Sequence, residues 1–122
     1  MTCRRETALN AATILLTEDH HLVEALHALS KGRQWFRPDY DQELIEVEAH
    51  LSKVADEACT AWMACRSAGL DNLAKACGRI DMILRHACAI GPKGAAGCKG
   101  DLIMQTQHGK EALDVAEAMQ IA

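Results

Sequence analysis

Two apolar stripes separated by three residues constrain this chain more than any other feature. Leu44, Val47, Leu51, Val54, Ala58, Ala61, Cys65 and Ala68 recur in alternating steps of three and four. After Gly69-Leu70-Asp71 the rhythm resumes at Leu73, Ala76, Ile80, Ile83, Ala87 and Ile90. Such spacing holds one face of a helix apolar turn after turn, so the stretch 41–90 predicts two helices. The interruption has its own chemistry. Gly69 suits the left-handed residue after a helix, Leu70 can fold back on the last turn, and Asp71 can cap the second helix. A connection this short predicts an antiparallel hairpin.

The remaining helices are less sharply written. Ala8, Leu9, Ala12, Leu15, Leu16, Leu22, Val23, Leu26 and Leu29 give a buried side to a first helix over about 6–30. Its pattern turns polar at Thr17-Glu18-Asp19, where Thr17 can cap a separate helix, so a kink or a break is expected there. Gly91 to Gly100 repeats glycine at every third position, and we expect a flexible linker. The repeat is too short for a collagen triple helix and lacks the order of a phosphate-binding loop. Asp101 can cap a last helix over about 101–120, with Leu102, Ile103, Leu113, Ala116 and Met119 inward. Gly109 within it costs about 1 kcal/mol against Ala. It either permits close approach of a neighbour or marks a break. The expected fold is therefore all-α, an antiparallel bundle of four main helices (about 6–30, 41–68, 71–90 and 101–120) in a single domain spanning 1–122.

Composition narrows the function classes. The 122 residues suffice for one core without metals or disulfides. Alanine is abundant, while aromatics comprise two Trp, one Tyr and one Phe. This favours closely packed helices over a deep ligand cavity. A formal net charge of −4 disfavours nucleic acid or an anionic membrane as the main partner. No apolar run approaches the roughly 20 residues of a membrane span. Arg4-Arg5 ahead of an apolar stretch does not make an export signal, because Asn10 and Thr13 break the run and no convincing cleavage site comes after it.

The cysteines (Cys3, Cys59, Cys65, Cys77, Cys88 and Cys98) show no paired metal spacing. They read as reduced, structural thiols of a cytoplasmic protein. Cys65, Cys77 and Cys88 are expected in the core, and Cys3 and Cys98 in solvent.

Candidate chemistry is sparse. His20, His21, His27, His50, His86 and His108 are scattered, with Glu18, Glu24 and Glu46 one turn from three of them. Four-helix bundles build metal centres from such residues. However, the ferritin-like Glu-x-x-His pattern occurs only within the first helix, and the hemerythrin-like pattern stops after Asp19-His20. His50 and His86 also fall off the apolar stripes. No metal, no cofactor and no catalytic constellation is assigned. Metal-binding four-helix bundles remain an alternative reading.

The stretch Lys31 to Tyr40 is the compositional anomaly. Trp35, Phe36 and Tyr40 sit among Lys31, Arg33 and Arg37, with Pro38 leading into the next helix. These aromatics either plug the open end of the bundle or form a partner-binding anchor, the role in which Trp, Tyr and Arg are enriched. The adjoining acidic run Asp39, Asp41, Glu43, Glu46 and Glu48 disfavours phosphates there.

The junction also resembles a known family. Arg66-x-x-Gly69-Leu70-Asp71, then Ala76-Cys77 and Ile80-Asp81, is similar to the corresponding junction of phage-encoded type I-E anti-CRISPR proteins, and Gln107-His108-Gly109 has a counterpart there. The resemblance implies a small, all-helical, dimeric, non-enzymatic inhibitor that binds the CRISPR helicase–nuclease, with its C-terminal part important. It adds His108 to Arg33, Trp35, Phe36, Arg37 and Tyr40 as candidate partner-binding residues. The Gly-rich segment 91–100 and the long N-terminal helix depart from that family. Ala-rich stripes and Gly109 further suggest self-association through the last two helices; a purely structural dimerisation module is the other alternative.

Overall fold

Gly69 carries the turn on which the architecture depends. In a computed structural model of the chain its φ is 77°, the left-handed region in which a side chain is strained. The Gly69 N–H donates to the Arg66 carbonyl at 3.2 Å, and the Leu70 N–H to the Cys65 carbonyl at 2.9 Å. This is the Schellman arrangement, which satisfies carbonyls that a helix end otherwise leaves unpaired. Leu70 packs back on the core, as the sequence predicts. Replacing Gly69 with Ala is expected to cost about 1 kcal/mol, from the left-handed backbone alone. Urea denaturation reads this directly; an unchanged midpoint would show that the turn does not need a glycine.

The structure describes residues 4–17, 19–30, 38–90 and 92–121, without the side chains of 19–20, 28–30, 38–44, 90, 92–96 and 120–121. The chain is all-helical over the described residues: α1 (Arg4–Thr17), α2 (Asp19–Ser30), α3 (Pro38–Ser67), α4 (Asp71–Ile90) and α5 (Pro92–Ile121). Two expectations about the extent of the helices need correction. The first predicted helix is two, α1 and α2, so five helices replace four. At the end of α1 the Thr17 hydroxyl donates to the Ile14 carbonyl at 2.9 Å, a local bond that competes with helix continuation. The second concerns 91–100, expected to be a flexible linker. Residues 92–100 instead form the first turns of α5. Pro92 opens that helix at the position where a missing N–H is harmless. Cys98, one turn ahead of Leu102, begins its buried side, while Gly97 and Gly100 face open space. Pro38 opens α3 in the same way, three residues before the predicted start.

The core is one cluster drawn from all five helices. From α3 come Leu51, Val54, Ala55, Ala58, Ala61 and Cys65; from α4, Leu73, Ala74, Cys77, Ile80, Leu84 and Ala87. Ala8, Leu9, Ala12, Leu15 and Leu16 of α1 pack chiefly on α3, and Leu22 and Leu26 of α2 belong to a helix that packs chiefly on α5. Helix α4 lies between α3 and α5. Two residues expected inward on α5 are not: Ile103 is 49% and Met119 65% exposed. The buried face is Cys98, Leu102, Gln105, Thr106, Gly109, Leu113 and Ala116, which mixes polar and small residues among the apolar ones. A stripe of this kind is faint in sequence.

Close packing is set by two glycines. A Cβ at Gly78 would lie 3.0 Å from the Trp62 ring, so the indole of α3 rests on the α4 backbone. The Arg66 guanidinium lies 5.7 Å from the centroid of that ring, within cation–π range. A Cβ at Gly109 would lie 2.8 Å from Leu16 Cδ2 and 3.5 Å from Ala76 Cβ. Gly109 is therefore the point where α1, α4 and α5 meet. The close approach it permits is internal, which withdraws it as grounds for self-association through the last two helices. On the surface, Arg85 donates to Asp81 at 2.6 Å and to Asp56 at 2.8 Å, linking α4 to α3. These bonds raise its pKa further, the Asp56 bond most.

Candidate functional site

The α4–α5 seam is the candidate site. Its exposed side pairs residues in antiparallel register: the α4 turn with Asn72 lies beside Val115, Arg79 beside Gln105, and Ile83 beside Asp101. Three depressions succeed one another along it. The central one, of about 370 Å³, lies among Asn72, Lys75, Arg79, Gln105, His108 and Glu111. It shares Arg79 and Gln105 with a depression of about 180 Å³ that reaches Met82 and Asp101. It shares Asn72, Ala112 and Val115 with one of about 210 Å³ that reaches Arg5 and Met119. The shared residues make them neighbours along one seam, an interrupted groove between α4 and α5.

The groove's cations, Arg5, Lys75 and Arg79, equal its acids, Asp71, Asp101 and Glu111, in number, but Lys75 and Arg79 stand together in the middle. Asn72, Lys75 and Arg79 project from one side of α4 at steps of three and four, the spacing that keeps neighbours on a helix face. His108 faces them from α5. Among the described residues neither Lys75 nor Arg79 makes an ion pair. Glu111, on the same wall, accepts from Gln107 Nε2 at 3.3 Å. The rims are apolar: Val115 is 61% and Met82 69% exposed, with Met119 at the far end. Between them Gln105 is only 7% exposed, and its Oε1 is buried without a hydrogen-bond partner. Such an orphaned acceptor is uncommon in folded proteins.

Of the candidate partner-binding residues, His108 alone has a described side chain, and it stands exposed in the centre of the groove. Arg33, Trp35, Phe36 and Arg37 lie outside the described residues; Tyr40 lies in α3, but its side chain is outside them. The plug and anchor readings of that stretch lie outside them too. Asn72, Lys75, Arg79 and Gln105 were not anticipated. Their steps along α4 and α5 are visible in the sequence, but nothing there separates them from an ordinary solvated face until the two helices are placed side by side.

The histidines with described side chains, His21, His27, His50, His86 and His108, are all exposed. Among the described residues no three or more His, Cys, Asp or Glu gather as a metal site would require. No helix among them is long and apolar enough to cross a membrane.

The thiols are set for packing. Cys65 and Cys77 are fully buried at the α3–α4 contact, and Cys65 Sγ lies 3.8 Å from the Ala8 carbonyl. A hydrogen bond with Cys65 and then burial push the Cys77 thiol up. Burial, with the Glu48 carboxylate, raises Cys88, which is half-buried. Cys98, expected in solvent, is buried in the first turns of α5, and that burial together with Asp101 raises it. Thiols become reactive in electropositive, accessible settings, the opposite of these. In the native protein at pH 8, Cys65, Cys77 and Cys98 are expected to resist a thiol reagent that reacts with them fully in denaturant. Mass mapping of labelled peptides checks this, and rapid native labelling of Cys77 would contradict the packing.

Comparison of the chain with known proteins finds no matching family model, no curated relative and no similar solved structure.

Proposed function

We propose that this chain is a non-enzymatic protein-binding module that inhibits its partner by covering part of it, using the α4–α5 groove. The observation that carries this reading is the combination, along one seam, of Lys75 and Arg79, without an ion pair among the described residues, with the exposed apolar rims at Met82, Val115 and Met119. Protein interfaces combine apolar anchors with charged donors in this way. The Gln107-His108-Gly109 triplet resembles one in type I-E anti-CRISPR proteins, and its His108 lines this groove, which supports a CRISPR helicase–nuclease as the first partner to test. With it come, as parts of the same proposal, a cytoplasmic setting and a homodimeric state. The candidate anchors Arg33, Trp35, Phe36, Arg37 and Tyr40 belong to it as a second contact.

The test is a binding titration of the purified chain against the CRISPR helicase–nuclease, beside capture from a host lysate, with Val115→Asp and Met119→Asp as controls. Both positions are exposed, so circular dichroism should be unchanged. Capture that the Asp variants abolish is the expected result. A chain that captures nothing through the groove, yet self-associates, would be a structural dimerisation module instead.

A further inference from the structure

Resting on the reading of the groove as a protein-binding site, we infer that its occupant is an acidic, amphipathic helical segment of the partner. Electrostatics sets the first requirement. The chain as a whole carries −4, yet the middle of the groove holds Lys75 and Arg79 with no ion pair among the described residues. One turn apart on α4, they match two carboxylates one turn apart on another helix. Charge-assisted bonds of this type are the stronger ones, and Arg79 can hold a carboxylate with two parallel N–H groups. His108, on the opposite wall, supplies a further N–H.

Shape sets the second. From Leu70 to Ile83 the groove follows α4 for about 20 Å, the length of roughly fourteen helical residues. A small anion would engage the centre and leave Met82, Val115 and Met119 uncovered; an amphipathic segment lays apolar residues on both rims. Glu111, Asp101 and Asp71, which line the walls, exclude partner carboxylates from their own positions and so direct them towards Lys75 and Arg79.

The experiment uses the full chain and three probes: a fourteen-residue helical peptide with Leu on one face and Glu at one-turn spacing beside it, its twin with Gln for each Glu, and inorganic phosphate. Fluorescence anisotropy gives affinity, and amide shifts in NMR give location. The Glu peptide is expected to bind about tenfold or more tightly than its twin, with shifts over 72–83 and 101–115. K75Q with R79Q should erase that difference; both residues are exposed, so the fold is retained. Equal binding of the two peptides, no binding of either, or displacement of the Glu peptide by equimolar phosphate would overturn the inference. Should the Glu peptide fail while Val115→Asp still abolishes capture of a partner, the acidic occupant falls and the groove stands. Loss of both results removes the two readings together.

Discussion

Ile80→Ala is expected to lower the free energy of unfolding by about 2–5 kcal/mol, and Leu51→Ala by a similar amount. Both side chains are fully buried and belong to the cluster joining the five helices. Each truncation loses the transfer energy of the deleted carbons and leaves a cavity between α3 and α4 that neighbouring helices fill only in part. A domain of this size has roughly 5–15 kcal/mol to lose, so either change is a large fraction of the total. Met82→Ala is the control. Also on α4 but 69% exposed, it should change stability by about 0.5 kcal/mol or less. Urea midpoints that do not separate Ile80 from Met82 would invalidate the stripe assignment.

Gly109→Leu should cost about 3 kcal/mol or more, by crowding rather than by a void. Its first added carbon would already lie 2.8 Å from Leu16 Cδ2, and Leu16 is buried where α1 crosses the α4–α5 seam. Gly109→Ala is the finer comparison. Alanine gains about 1 kcal/mol of helix propensity but must displace Leu16, and we expect a net loss of about 1 kcal/mol. Combining it with Leu16→Ala should cost less than the sum of the two single changes, because the new methyl enters the space that Leu16 vacates. Additive costs in thermal and urea denaturation would show that the two sites do not touch.

The contrast between these residues explains what could be read in the sequence. Leu51, Val54, Ala58, Ala61 and Cys65 are apolar at helical spacing, and each is buried. The Gly69-Leu70 turn was legible for a related reason, since a left-handed residue and a leucine that folds back leave local signatures. The buried face of α5 lacks such a signature. Gln105, Thr106 and Gly109 hold positions that a periodicity search expects to be apolar, so Ile103 and Met119 looked like better candidates and the glycines of 91–100 read as a linker. The site was less legible still. His108 came from a resemblance and not from its own neighbourhood. Lys75 and Arg79 acquire meaning only because α5 returns alongside α4, which the pattern of neither helix specifies.

That juxtaposition is also the point most open to refutation. Hydrogen–deuterium exchange of the chain, alone and bound to the captured partner, tests it most directly. Protection is expected over 72–83 and 101–119, on the two walls of the groove, with the Lys53–Thr60 side of α3 unchanged. Protection confined to α1 and α3, with α4 and α5 exchanging as in the free chain, would contradict the assignment of the groove.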